Sequence, residues 1–451
     1  MKNNVFVLKS ALVAALGGFL FGFDTAVISG TTDTLQTLFG LNNAALGFTV
    51  ASALFGTVAG SLLVGWPTDR IGRRKMLKIL AGLFFVSAVG SALAWNWHAL
   101  LFFRFVGGLA VGGASVVSPM YIAEISPARS RGRLVALAQF NIVVGILIAF
   151  LSNYIISTFG LIAGEWRWMF GVEAFPAAAF FFLLFFNPYS PRWLIAKGRD
   201  QEAKEILLRL TQEKSVVDTE FAAIKESLDL ESHRAHESFY TKKYMKPILL
   251  AFMIAFFNQT SGINVVMYYA PRIFKMAGAG TESAMLQAVI IGFTNLVFTL
   301  LALAVIDFFG RKKLMLIGSI GYILSLATTS WAFFSFGTDF TSQGGMIVLC
   351  ALILFIASHA FGQGAVIWVF ISEVFPNRVR ARGQALGSFT HWVFAALISQ
   401  TFPIVAGKFG GGAIFAFYTF MMVLQLFWVI LVMPETKGIS LEEMQKKLGI
   451  R

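Results

Sequence analysis

The chain has 451 residues, 57% of them hydrophobic and 13% charged, against roughly 25% charged in an ordinary soluble domain. The shortfall runs the length of the chain, which excludes a water-solvated globule and points to a lipid bilayer as the main solvent. The formal charge of +13 would suggest nucleic acid in a soluble protein; placed against the apolar stretches it argues for a membrane surface and for no nucleic-acid partner.

A helix needs ~20 mostly apolar residues to cross the hydrocarbon core, because there it must satisfy its own backbone. On that measure the first half of the chain has spans at 9–30, 46–66, 76–95, 99–122, 133–158 and 168–187. Lys2 and Lys9 precede the first, whose apolar stretch exceeds the ~7–15 residues of a cleavable signal, so the N-terminus reads as cytoplasmic. The segment 188–246 is the one long polar stretch, with helical periodicity at 201–210 and 221–230, and reads as short amphipathic helices. Six more spans follow at 247–270, 285–306, 314–336, 346–371, 383–404 and 412–433. The predicted fold is therefore an all-α membrane protein of twelve transmembrane helices in two six-helix bundles. Its parts are 1–187, a cytoplasmic helical linker at 188–246, 247–434, and a cytoplasmic tail at 435–451.

The basic residues orient this arrangement. With the N-terminus inside, Arg167, Arg272, Lys275 and Lys408 lie outside, Arg104 lies within span 4, and the other 31 of the 36 Lys and Arg face the cytoplasm. Both termini are expected inside, in a cell membrane.

The halves repeat. Asp69-Arg70-Ile71-Gly72-Arg73 after span 2 matches Asp307-Phe308-Phe309-Gly310-Arg311 after span 8. Glu124 to Arg131 after span 4 matches Glu373 to Arg380 after span 10. Parallel six-span repeats are the arrangement that makes a central cavity. The acids at these helix ends are suited to pair with arginine, and the expected bridges are Glu124 with Arg131 and Glu373 with Arg380, closing a cytoplasmic gate.

These paired motifs resemble the loop signatures of the major facilitator superfamily. Gly22-Phe23-Asp24 to Gly30, Ser190-Pro191-Arg192-Trp193-Leu194, Gly262-Ile263-Asn264 and Pro434-Glu435-Thr436-Lys437-Gly438 are similar to its sugar porter family. That family includes proton-coupled bacterial sugar symporters and glucose facilitators. The resemblance implies uptake of a monosaccharide, coupled to a proton, by a protein working as a monomer. A uniporter retaining Asp24, or a non-transporting sugar sensor, are the alternatives.

Ionisable residues within spans are costly and so candidates for function: Asp24, Arg104, Glu173, His359 and His391. The resemblance implies that Asp24 takes the proton, Arg104 pairs with it and Glu173 joins the network; a static ion pair holding spans 1 and 4 is the alternative. Carboxamides suit sugar hydroxyls because each both donates and accepts without charge, and aromatic rings cover a sugar's apolar face. The resemblance maps sugar contacts onto Gln139, Asn258, Gln259, Asn264, Asn295, Trp368 and Trp392, and Tyr268 and His391 lie beside them. In the gate it implies Asp69, Arg70, Arg73, Glu124, Arg131, Arg192, Asp307, Arg311, Glu373 and Arg380.

Three departures stand out. Tyr189 replaces an acid before Ser-Pro-Arg, so that lock should be weaker. Ile146 stands where some pentose symporters have Gln. Gln363, Ala365 and Ile367 replace prolines, so span 10 should be less broken. No nucleophile–base pair or metal spacing appears, and the single cysteine, Cys350, sits in an apolar run; an enzyme, a cofactor and a metal are not expected.

Overall fold

The backbone of a computed structural model describes residues 5–127, 130–160, 164–232, 238–376, 378–439 and 441–450. Among them the regular structure is entirely helical. Spans 1 to 5 are the helices Val5–Val27, Asn43–Leu63, Arg73–Ala92, Trp97–Ile125 and Arg131–Phe159. Spans 8 and 9 are Thr281–Phe309 and Arg311–Phe336.

The remaining spans are interrupted, each for an identifiable reason. Span 6 is two short pieces, Glu165–Gly171 and Ala174–Leu183, with Glu173 at the break. Pro176 lacks the N–H that would bond the Val172 carbonyl, which loosens the turn there. Span 7 divides into Met245–Thr260 and Ile263–Met276 at Gly262, whose φ of +83° favours glycine. Spans 11 and 12 form one 52-residue stretch, Arg380–Leu431, in which the chain turns at Gly410 with φ +76°. Twelve crossings thus lie where the apolar pattern predicts them.

Span 10 corrects an expectation. Without its prolines it was expected to be less broken, yet Ser342–His359 and Ala365–Val374 are separated by a π-helical turn at Ala360–Gly364. A π turn adds one residue to the ring and widens the helix, a device that often marks functional sites. The widened turn packs closely on span 9, where a Cβ at Gly362 would stand 2.9 Å from the Gly318 Cα. Between the halves, Pro191–Ala196, Asp200–Thr211 and Lys214–Ser232 form the short helices expected in 188–246.

The chain divides into two compact units. The first comprises Met1–Asp24, Gly56–Ile146 and Phe170–His236; the second comprises Thr25–Phe55, Leu147–Met169 and Glu237–Arg451. Lipid is as apolar as a leucine side chain, so helices in it associate by close packing more than by burying apolar area. In the first unit, Leu20, Phe84, Val117, Tyr121 and Phe180 are buried together. Spans 1 and 5 cross there through paired glycines: a Cβ at Gly22 would strike the Ile142 carbonyl, and one at Gly145 the Phe19 carbonyl. This crossing fixes the stretch of span 1 that carries Asp24.

Candidate functional site

The first unit holds a buried ionic cluster. Arg104 Nη1 donates to Asp24 Oδ1 at 2.5 Å, and the two side chains are 1% and 4% exposed. Gly107, one turn beyond Arg104 on span 4, leaves the space for it: a Cβ there would meet the Ser87 hydroxyl and stand 3.5 Å from Asp24 Oδ1. The Phe170 ring lies 5.4 Å from the guanidinium carbon. Glu173, at the break of span 6, is buried within electrostatic reach of both charges. Its Oε1 and Arg104 Nε have no hydrogen-bond partner among the described residues. The cluster therefore has two acids for one base, and one acid is uncommitted. The three ionisable residues singled out in spans 1, 4 and 6 are brought together.

The second unit holds a polar chain built around the break in span 7. Asn258 and Gln259 end the first helix of that span, and Gly262 turns the backbone so that Asn264 opens the next. Gln259 Nε2 donates to Asn258 Oδ1 at 2.8 Å, and Asn264 Nδ2 donates to Gln259 Oε1 at 2.8 Å. Gln259 Nε2 also lies 3.1 Å from His391 Nδ1. The His391 ring sits between two indoles, with centroids 5.2 Å from Trp368 and 4.7 Å from Trp392. Trp392 is buried, whereas Trp368 is 37% exposed. Tyr268 is buried one turn past Asn264, and Asn295 is buried on span 8, without a hydrogen bond to the chain among the described residues. Gln139 lies half-buried on span 5 in the first unit.

Two members of this chain were not among the predicted sites. Gln363 and Gln425 are 1% and 0% exposed. Gln363 stands in the π turn, accepts from Asn258 Nδ2 at 3.3 Å and donates to Gln425 Oε1 at 2.7 Å. An uncharged amide amid Leu424 and Leu426 is the signal that could have found Gln425. Histidine His359 belongs elsewhere, 2.6 Å from the Tyr322 hydroxyl.

At the motif ends, the acids choose partners other than those expected. Glu124 accepts from Arg73 Nε at 3.0 Å and from the Ser190 hydroxyl, while Arg131 is exposed. Arg73 also reaches Asp69 at 3.1 Å. In the second unit, Glu373 receives Arg311 through both Nη2 (2.9 Å) and Nε (3.1 Å), and the Thr436 hydroxyl at 2.6 Å. Arg380 Nε is buried without a hydrogen-bond partner among the described residues. The repeat is thus exact in its chemistry: an arginine after the second span of each half, an acid after the fourth and a hydroxyl after the sixth. Arg131 and Arg380 were expected as partners because they share a motif with the acids; each instead opens the next helix, Arg131–Phe159 and Arg380–Leu431. The side chain of Asp307 lies outside the described residues. Arg70 is exposed over Trp66 at 5.2 Å, and Arg192 donates to Ser227 Oγ at 3.3 Å.

Tyr189 faces the arginines without a carboxylate. In place of an acid it offers a ring: Arg74 lies 4.8 Å and Arg199 5.6 Å over it, and it stacks on Trp193. Glu435 caps span 9 from the end of span 12, accepting from the backbone N–H of Arg311 (2.9 Å) and Lys312 (3.0 Å). At the opposite end of the second unit, Asp33 accepts from Lys275 Nζ at 2.9 Å and Arg272 Nη1 at 3.4 Å, and Gln36 Oε1 accepts from Arg272 at 2.7 Å.

Residues 10–448 match the family model described as sugar (and other) transporter. The D-xylose-proton symporter of Escherichia coli (strain K12) is 39% identical over 480 residues, covering 98% of this chain and 96% of that protein. The glucose transport protein of Synechocystis sp. is 37% identical, covering 98% and 97%. The xylose transporter of Escherichia coli in its inward open conformation superposes with a TM-score of 0.87 at 37% identity, covering 98% of this chain and 100% of that one.

Proposed function

This chain belongs to the sugar (and other) transporter family, and we propose that it carries a monosaccharide into the cell by alternating access, with a proton as co-substrate. The observation that carries the reading is the buried cluster of Asp24, Arg104 and Glu173. A charge in a span is expensive unless paired. A cluster with a surplus acid holds a proton in one arrangement and releases it in another, whenever the Asp24–Arg104 contact or its hydration changes. That is linkage between protonation and conformation. The D-xylose-proton symporter, matched over nearly its whole length, supports the coupling.

Sugar is held by Gln139, Asn258, Gln259, Asn264, Tyr268, Asn295, Trp368, His391 and Trp392. The amides meet hydroxyls and the indoles cover an apolar face. The pairs Arg73–Glu124 and Arg311–Glu373, one within each unit, brace the helix ends that form the cytoplasmic gate. Both termini and the 188–246 helices face the cytoplasm, the two halves are 1–187 and 247–434, and the protein acts as a monomer.

The test is uptake of labelled sugar into proteoliposomes with an imposed pH gradient, competed by unlabelled sugars. Accumulation above the equilibrium level that collapses with a protonophore is the expected result. Uptake that only equilibrates, indifferent to the gradient, would establish the uniporter reading instead.

A further inference from the structure

We propose that Ser319, Gln425 and Gln363, none of them placed among the sugar contacts, are positioning residues that decide which hydrogen-bonding polarity Asn264 shows to the sugar. The inference rests on the sugar-binding reading above.

The polar chain of the second unit runs further than the pocket, and every bond in it points the same way. Ser319 Oγ donates to the Met315 carbonyl at 2.7 Å. A hydroxyl has one proton, so Ser319 meets its other neighbour with lone pairs, and Gln425 Nε2 donates to it at 2.8 Å. That bond turns Gln425 Oε1 toward Gln363, which donates to it. Gln363 Oε1 then accepts from Asn258, Asn258 Oδ1 accepts from Gln259, and Gln259 Oε1 accepts from Asn264. Ser319, Gln425, Gln363, Asn258 and Gln259 are between 0% and 2% exposed, so water does not substitute for a missing member. A one-way chain of this kind also reinforces itself, since each amide polarises the next.

The chain surfaces at Asn264, which is half-buried. Its NH2 group is committed to Gln259, and its oxygen accepts no bond among the described residues. Asn264 therefore presents an acceptor, and the sugar group facing it must be a hydroxyl that donates. The acceptor character originates five links away, in the commitment of the Ser319 proton to a carbonyl that only accepts. Ser319→Ala removes the lone pairs that hold Gln425 Nε2. A buried N–H without a partner is worse tolerated than a buried C=O, so the amides reverse as a set, and Asn264 then turns its NH2 group toward the sugar.

Deoxyfluoro sugars read this out, because fluorine in place of a hydroxyl accepts weakly and cannot donate. Binding of D-xylose, D-glucose and their monodeoxyfluoro derivatives is measured by tryptophan fluorescence on purified full-length protein in detergent. In the wild type, one fluorinated position is expected to weaken binding about tenfold, the scale of one buried hydrogen bond. In Ser319→Ala that penalty shrinks or inverts at the same position, and Ser319→Thr, which keeps the hydroxyl, restores it. Should Ser319→Ala not yield monodisperse protein, Gln425→Leu takes its place, since it strips Gln363 Nε2 of its acceptor and calls for the same reversal. A wild-type protein that binds none of the sugars sinks the functional reading itself. Binding with a fluorosugar profile that Ser319→Ala or Gln425→Leu leaves unchanged overturns the relay alone.

Discussion

Arg74 lies 4.8 Å over the ring of Tyr189 and donates from Nη2 to the Phe185 carbonyl at 2.6 Å and from Nε to the Leu184 carbonyl at 3.0 Å. One guanidinium thus caps the end of span 6, where helix carbonyls lack partners, and rests on an aromatic face instead of a carboxylate. Tyr189→Leu is expected to lower stability by about 0.5–1 kcal/mol, the scale of a partly exposed cation–π contact. Tyr189→Glu should hold stability near wild type by pairing Arg74 directly. Thermal unfolding in detergent measures both; a Leu variant indistinguishable from wild type removes Tyr189 from the lock.

Asp33 ties together the end of the second unit remote from the locks, through Lys275 and Arg272. Its side chain is 42% exposed, so salt screens the pair, and each contact is worth about 0–1 kcal/mol. In a Cys350→Ser background, a cysteine at Tyr268 reports access from that side. Asp33→Asn should raise its alkylation rate by roughly two- to fivefold, the population shift such an energy allows. High salt should do the same to the parent and little to Asp33→Asn. Equal rates in the two proteins at low salt would rule out a latch.

The spans were legible because a bilayer leaves the backbone one choice and length alone then reveals it. The break in span 7 is signalled by Gly262, though no boundary is predicted there; the π turn of span 10, which packs against Gly318, has no such local signal. Asp24, Arg104 and Glu173 announced themselves as charges in apolar surroundings; the first two are bonded, and Glu173 is buried within electrostatic reach of both. The lock partners did not, because nearness within a motif says nothing of which turn a helix end faces: Glu124, near the end of span 4, reaches back to Arg73 at the start of span 3. Gln425 was passed over because a single amide in a span reads equally as packing. Only its bonds to Gln363 and Ser319 show what it joins.

Glu435 provides a pH test outside the spans. Burial pushes its carboxyl up, but the N–H groups of Lys437, Arg311, Lys312 and Thr436 outweigh that and hold it below the ordinary value. The folded value is then lower than the unfolded one, about 4.3. Its stabilisation is complete above the unfolded value and disappears as pH falls through the lowered folded one. Glu435→Gln should lower the unfolding temperature at pH 7, and the gap to wild type should close as the pH is taken down through the carboxylate range. A gap constant with pH would mean that the cap works without its charge.

The decisive variants concern the two acids around Arg104. Asp24→Asn mimics the protonated acid, and on the proposed coupling it should abolish pH-driven accumulation while leaving sugar exchange. Removing one partner of a buried ion pair ordinarily costs about 3–5 kcal/mol, because the other charge is stranded. Here Glu173 is buried within reach and has an oxygen without a partner among the described residues. It is positioned to take over Arg104, so Asp24→Asn should remain folded with much less than that loss. Glu173→Gln alone should also fold, since Asp24 keeps its 2.5 Å bond. The double variant leaves Arg104 buried without an anion, and its destabilisation should exceed the sum of the single effects by a few kcal/mol. Unfolding temperatures of the four proteins, with proteoliposome uptake for each folded one, separate the possibilities. If Asp24→Asn accumulates sugar against a gradient as wild type does, Asp24 is structural and the proton is carried elsewhere. If the effects on stability simply add, Glu173 is outside the cluster, and the surplus acid on which the coupling argument depends is not available to it.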